Sequence, residues 1–458
     1  MQVKCLFNFH FHFHFHFRLH FSDHSLASVI FTKNDTLLMK NCRNPKRYVN
    51  EDYCPIVLNH LENNVYLVSK KHLYFCIRDY YAMLGKDPLE IIPRTFYLAP
   101  NAEDARGELV EFTEYNRKHA IVESNSSEKN DTPSSKGGKK DKEEGLIWIA
   151  KPASYANRGF GIKVTRGLKG ALAVVGSSAP NDATADGVKP STAESARSDV
   201  TDGSSSTNSD AVDPTDPTNL KKRAKNIGKS NGWVVQEYMT NPLLVSGRKF
   251  DIRCFVLVTN SSKEGFKAFW FKEGYIRTSC KKYSLDKLND RETHLTNDAV
   301  QKHSKSYGDG SSSKLTYAQW QESINKDYPG TPGDVVMNKI VPNIKELSKI
   351  AILAALEKGL SRTKIQRSFE LLGYDYMITS DFKPVLIEVN TNPCLEFACP
   401  LLEQLIGNLI DNVWSIAVDK FFPPPPSSER TKRTEEAIQT IQEEEQFFEL
   451  LYEEKPRK

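Results

Sequence analysis

Apolar positions along this 458-residue chain fall into blocks separated by polar tracts, and the blocks differ in period. Between 57 and 84, and again between 341 and 359, apolar side chains return every three to four residues. In the second block Ile344, Leu347, Ile350, Ala351 and Ala354 share a face, so both stretches are predicted to be core helices. Residues 247–259, GRKFDIRCFVLVT, alternate with period two. That predicts a long strand with Phe250, Ile252, Cys254 and Val256 on one face and Lys249, Asp251 and Arg253 on the other. Shorter strands are predicted at 93–98, 146–152 and 232–239, and a hairpin at 268–279. A helix over 400–422 ends at the prolines 423–426, which begin a semi-rigid spacer. Beyond it Ala437, Ile438, Ile441, Phe448, Leu451 and Tyr452 read as an apolar stripe on an acidic helix that packs back on the parent domain.

The polar tracts set the domain plan. Residues 120–144, most clearly from Ser124, and 177–229 are rich in Ser, Asp, Thr, Pro and Lys. They carry too little apolar surface to offset the entropy of ordering, so both are read as disordered insertions within a folded domain. A third polar stretch spans 304–314. The resulting plan has a Phe/His-rich terminus (1–24) and a small N-terminal α/β domain (25–119). A central lobe (145–260) and a C-terminal lobe (261–422) follow, and then a proline spacer with an acidic tail (423–458). An extended terminus would put His10, His12, His14 and His16 on one face, which could bind a metal; low-complexity sequence at a chain start more often has no defined structure.

Composition narrows the function classes. Sixty-two Lys and Arg against 58 Asp and Glu give no excess suited to wholesale nucleic-acid binding, so any contact with a polyanion must come from local patches. The basic run KNCRNPKRY at 40–48 is one such patch, or only a solvated face. Eight cysteines without a C-x-x-C pair fit a reducing compartment rather than a disulfide framework. No apolar run approaches the ~20 residues of a membrane helix, and a soluble, cytoplasmic protein is expected.

Chemistry concentrates in a few segments. In residues 368–396, SFELLGYDYMITSDFKPVLIEVNTNPCLE, a loop at 380–383 with Thr379 opposite Pro384 would set Asp375 against Glu388, with Asn390 further along the same face. Opposed carboxylates destabilise a bare sheet. A hard cation would cancel the repulsion, and two carboxylates with an amide oxygen make a magnesium set; solvent-facing acids are the alternative. LIWIAKP ends in Lys151 and leads to a loop with Arg158, Gly159 and Gly161, a combination suited to phosphate, although neither a Walker nor a dinucleotide fingerprint is present. The Lys249, Asp251 and Arg253 face is either a self-neutralising ladder or an active-site wall. Arg277 follows a KEG turn, and HLTN at 294–297 is a compact polar run.

Taken in order, WIAKP, VVQEYMTNPLLVSGRKFDIRCFVLVT, KEGYIRTS, HLTNDAVQKHSKSYG and FELLGYDYMITSDFKPVLIEVNTNP resemble the tubulin tyrosine ligase family, over most of 59–422. The resemblance implies an α+β, ATP-grasp fold whose two lobes clasp MgATP. It implies Lys151, Arg158 and Gly159 at the ATP phosphates, and Gln236, Glu237, Tyr238 and Met239 as the adenine hinge. Lys249 and Asp251 would line the nucleotide and substrate site, with Asp375, Glu388 and Asn390 as Mg²⁺ ligands. Arg253 and Arg277 would hold phosphoryl oxygens and an acyl phosphate; Thr296, Asn297 and Lys302 would lie near the incoming amino acid. The implied reaction is ATP-dependent amide formation on the acidic C-terminal tail of tubulin, in the cytoplasm and cytoskeleton or in a cilium. Tyrosine addition to α-tubulin is the leading expectation, because HLTNDAVQKHSKSYG looks most like that branch. Polyglutamylation or glycylation is the close alternative, since NTNPCLE is less typical of the tyrosine branch, and a silent microtubule-binding relative is the alternative of another class. Glu237 departs from the basic residue many relatives carry at the hinge. Lys221, Lys222, Arg223, Lys281, Lys282, Arg362, Lys364 and Arg367 are the cations expected to meet the tail.

Overall fold

The computed structural model describes residues 15–20, 26–31, 56–99, 103–127, 145–153, 159–176, 232–308, 310–331, 333–361, 367–421 and 447–455. Outside them lie His10, His12, His14, the 40–48 basic run, Arg158, Lys221, Lys222, Arg223, Arg362, Lys364, the proline spacer, Ala437, Ile438, Ile441 and most of both polar tracts. The chain divides into two compact units, Met1–Arg94 with Met239–Lys458, and Thr95–Tyr238.

The larger unit opens with β1 (Phe15–His20) antiparallel to β2 (Leu26–Phe31), followed by β3 (Ile56–Leu58). Two helices, α1 (Val65–Val68) and α2 (Lys70–Met83), fill the first helical block, and α2 buries Leu73, Cys76, Ile77 and Tyr81. The smaller unit is a four-stranded antiparallel sheet. It comprises β4 (Thr95–Leu98), α3 (Glu103–Ser127), β5 (Ile147–Pro152), β6 (Lys163–Arg166), α4 (Gly167–Gly176) and β7 (Trp233–Glu237), with strand order β4-β7-β5-β6. Phe96, Phe112, Trp148 and Trp233 form its aromatic core. Helix α3 continues through Ser127, so the first polar tract begins later than its composition suggests.

The chain returns to the larger unit through β8 (Leu244–Val245), β9 (Arg248–Ser261), β10 (Gly265–Phe271) and β11 (Tyr275–Lys282). Short helices α5 (Arg291–His294) and α6 (Asp298–Gln301) precede β12 (Lys314–Leu315), then α7 (Tyr317–Asp327) and α8 (Val341–Lys358). The hairpin β13 (Arg367–Ile378) and β14 (Pro384–Thr391), α9 (Pro400–Trp414) and β15 (Phe448–Glu454) complete it. Strand β9 organises this sheet, pairing with β13, β10, β11 and β8. That role moves the unit boundary to Tyr238, well before the expected break at 260. The N-terminal segment is likewise not an independent domain: β3 runs parallel to the start of β13, and Thr95 onward belongs to the smaller unit.

One face of β9, through Phe250, Ile252, Cys254, Val256 and Val258, joins a core with α2 and α8. Helix α8 ends at Gly359, whose φ of 110° is accessible to glycine at little cost. The opposite face is polar at Lys249, Asp251 and Arg253, then turns apolar at Phe255 and Leu257, which α9 covers with Leu402, Leu405, Ile406 and Leu409. The described end of the acidic tail, Phe448–Glu454, is a strand where the sequence stripe suggested a helix. FELLYEE pairs antiparallel with β10, Phe271 opposite Phe448, and a bulge at Leu451 lets that side chain reach the core. Spacing of 448, 451 and 452 fits either element, and the open edge of β10 decided for the strand by offering backbone partners. Packing on the parent domain holds. Phe448 is buried, its ring 5.0 Å from that of Phe271. Phe448→Ala is therefore expected to destabilise the protein by about 3 kcal/mol in urea unfolding, whereas Glu449→Ala, which removes a partly exposed ion pair with Lys345, should cost below about 1 kcal/mol.

Candidate active site

Three strands of the larger unit build a polar wall. Antiparallel pairing sets Arg277 opposite Asp251 and Asp375 opposite Arg253, so each buried cation faces a buried acid across the ladder. On the other side of β13, Asp375 lies opposite Glu388 and Gly373 opposite Asn390. The sequence anticipated that register by a different route. The turn pairs Ile378, not Thr379, with Pro384, and a bulge at Ile387 shifts the ladder back by one residue. The bulge thereby returns Glu388 and Asn390 to the face of Asp375.

The side chains form one continuous network. Arg253 donates to Asp375 through Nε (2.6 Å) and an Nη (3.1 Å). Arg277 grips Asp251 in the same way (2.6 and 2.9 Å) and reaches Asp375 Oδ2 at 3.0 Å. Thr296 Oγ1 donates to Asp251 at 2.5 Å, and Lys249 Nζ to the His294 carbonyl at 2.9 Å. Burial raises the Asp375 carboxyl, but Arg253 and Arg277 outweigh it and hold the group at about 2. For Asp251 burial prevails, and its carboxyl is raised. Burial works against the Arg277 cation too, yet Asp251 and Asp375 leave it well above the ordinary guanidinium value. Gly373 makes room for this packing: a Cβ there would lie 2.9 Å from Pro393 Cβ and 3.3 Å from Arg253 Nε.

Among the described residues no group of three or more His, Cys, Asp and Glu gathers as a metal cage. Two carboxylates and an amide do converge. Asn390 Nδ2 lies 3.1 Å from Asp375 Oδ2 and 3.4 Å from Glu388 Oε1. A half-turn of the amide presents Oδ1 instead, giving three hard oxygen donors on one face, a set that fits Mg²⁺ completed by phosphate oxygens.

Several supporting residues had no recognisable signature. Lys70, at the start of α2, lies 3.3 Å from Glu388 Oε2. Glu370, inside β13 and almost wholly buried, accepts from Leu61 N, Asn64 Nδ2 and Thr391 Oγ1 and meets His60 Nδ1 at 3.1 Å, tying the N-terminal segment to the hairpin. Lys314, at the end of the third polar stretch, has a side chain without solvent exposure and pairs with Asp298 at 3.0 Å. Only contacts hundreds of residues apart would have revealed the Glu370 and Lys70 roles. HLTNDAVQ held the Asp298 signal, but its partner lies at the far end of the next polar run.

The remaining expected residues divide between the units. Asn297 caps α6 beside Thr296, while Lys302 at the far end of that helix is exposed. In the smaller unit Lys151 is buried with Nζ 2.5 Å from Gln236 Oε1, and Gln236 Nε2 donates to Thr95 Oγ1 at 3.0 Å. Gly159 is buried with φ of 77°. The Glu237 carboxylate accepts from Tyr115 OH at 2.9 Å, and Tyr238 N donates to the Ile147 carbonyl. Met239 opens the returning segment of the larger unit. Of the surface cations, Lys281 is paired with Asp290 and Glu292, Lys282 donates to the Ser246 carbonyl, and Arg367 stacks 4.5 Å from the Phe421 ring.

Removing Asp375 leaves the buried Arg253 guanidinium without its acid and takes one of two acids from Arg277, so Asp375→Ala is expected to cost about 3–5 kcal/mol in chemical denaturation. Glu388→Gln, at a half-buried position, should stay within about 1 kcal/mol in the same measurement.

A family model described as the tubulin-tyrosine ligase family matches residues 49–426. Tubulin glycylase 3D of Tetrahymena thermophila is 36% identical over 187 residues, 41% of this chain and 18% of that protein. Human protein monoglycylase TTLL8 is 34% identical over 196 residues, 42% of this chain and 22% of its own length. The rat probable tubulin polyglutamylase TTLL9 is 30% identical over 261 residues, 56% of this chain and 50% of its own. The chain thus spans from under a fifth to half the length of these relatives. With the family match covering most of the sequence, the chain belongs to the tubulin-tyrosine ligase family.

Proposed function

We propose that this protein is an ATP-dependent ligase that joins an amino acid to a carboxylate of a tubulin C-terminal tail through an acyl phosphate. The observation that carries the reading is the buried chain Thr296–Asp251–Arg277–Asp375–Arg253 beside Glu388 and Asn390, in a chain of this family. The relatives named above are glycylases and a polyglutamylase, which moves the expectation from tyrosine to glycine or glutamate.

A carboxylate resists attack by an amine, and phosphorylation by ATP supplies the leaving group. Lys151 would neutralise nucleotide phosphates, with the Gly159 backbone allowing close approach. The Glu237 carboxylate is engaged by Tyr115, so backbone groups of the expected hinge, rather than this side chain, would meet adenine. Lys249 and Asp251 would orient nucleotide and substrate. Asp375, Glu388 and Asn390 would hold Mg²⁺, which when bound neutralises charge on the transferring phosphoryl group. Arg253 and Arg277, already fixed by their acids, would donate to the equatorial oxygens and later to the acyl phosphate without reorganising. Thr296 and Asn297 would flank the amino acid. No helix among the described residues is long and apolar enough to cross a membrane.

The test is mass spectrometry of tubulin tail peptides incubated with the full chain, MgATP and equal Gly, Glu and Tyr. Gly or Glu increments are expected; tyrosine alone restores the other branch, and ATP binding without any increment leaves a silent tubulin binder. Glu388→Gln should lower kcat/KM by at least about 30-fold, corresponding to ~2 kcal/mol of lost transition-state stabilisation. Lys151→Ala should raise the KM for ATP by about ten-fold or more through loss of a buried charge-assisted contact.

A further inference from the structure

We propose that Asp298 receives the ammonium group of the incoming amino acid and that its charge selects glycine over glutamate, an inference that rests on the ligase reading and sharpens it. Asp298 is fixed through one oxygen only. Its Oδ1 accepts from Lys314 Nζ at 3.0 Å and from Tyr307 OH at 3.3 Å, and the Lys314 ammonium also lies 5.3 Å from the Tyr307 ring centroid. The Lys314 side chain has no solvent exposure, whereas that of Asp298 is 41% exposed. Oδ2 has no partner among the described residues. A buried cation thus holds a carboxylate in one orientation with its second oxygen outward, which is the geometry for binding a second cation.

The position is the reaction wall. Lys314 lies opposite Arg277 in the β11–β12 ladder. Two residues before Asp298, the Thr296 hydroxyl is hydrogen-bonded to Asp251, which holds Arg277.

An α-ammonium at Oδ2 would sit beside the activated acyl carbon. The amine nitrogen forms the C–N bond, the acyl C–O bond to phosphorus breaks, and phosphate leaves with the electron pair. Of the two protons the ammonium loses in becoming an amide N–H, one passes to phosphate and one to solvent. Glycine brings only its own carboxylate. Glutamate would add a second anion beside Asp298, where the buried cation, Lys314, is already neutralised, and like charges at close range discriminate between substrates.

The experiment measures KM and kcat for Gly and Glu separately on tail peptides, using the full-length wild type, Asp298→Asn and Asp298→Glu. The wild type should prefer Gly. Asp298→Asn leaves the enclosed Lys314 without its countercharge and should lower the melting temperature; it should also raise the KM for Gly at least about ten-fold with the KM for ATP unchanged, and Asp298→Glu should recover part of both losses. An unchanged KM for Gly in Asp298→Asn, or a wild-type preference for Glu, overturns the assignment while leaving the ligase reading intact. No ligation by a wild type that binds ATP overturns both.

Discussion

The double grip on Asp375 by Arg253 and Arg277 is the interaction on which the rest of the larger unit depends. Buried ion pairs rarely improve stability over apolar residues of similar size, so a chain of them at the centre of a sheet is retained at a cost to folding. The arrangement becomes tolerable because each guanidinium finds an acid directly across a ladder, in a register that strand pairing fixes. Strand β9 meets both demands by changing character midway: its first three alternate positions carry charge, and the next two carry the apolar contacts of α9. The glycine at 373 lets Arg253 lie flat over β13, and so couples the hairpin to the cation.

Positive and negative groups on this wall are almost balanced. Lys70, Lys249, Arg253 and Arg277 face Asp251, Asp375 and Glu388, a surplus of one cation before anything binds. Glu388 therefore has a countercharge in Lys70 that any incoming metal must share or displace. A nucleotide arriving with its own metal would bring phosphate oxygens for the surplus cation, whereas a bare divalent ion would add to it, so the proposed ligand for this wall is the metal–nucleotide pair.

The parts of this architecture governed by short-range pattern were legible in the sequence. Alternation in 247–259 placed Lys249, Asp251 and Arg253 on one face, and the hairpin arithmetic set Asp375 against Glu388. The arithmetic reached the right pair because a one-residue shift at the turn and the bulge at Ile387 cancel. Long-range pairing escaped the reading: β9 drew the unit boundary back to Tyr238, and the edge of β10 turned an apparent amphipathic helix into β15. Glu370 reads locally as one more strand residue, although it ties residues more than 300 positions upstream to the hairpin.

The same distinction separates the reaction from its substrate choice. Phosphoryl transfer needs cations and oxygen donors at fixed cross-strand positions, which strand periodicity displays. Choice of amino acid depends instead on which charges remain unpaired after folding, and that is set by tertiary neutralisation. Lys314 looks in the sequence like a cation ready for a second carboxylate. Folded, it is enclosed and committed to Asp298, so the exposed charge at this corner of the wall is negative. Reading the residue type alone would suggest a site for a second carboxylate; reading its partner reverses the sign, and on that reversal rests the proposal of glycine over glutamate.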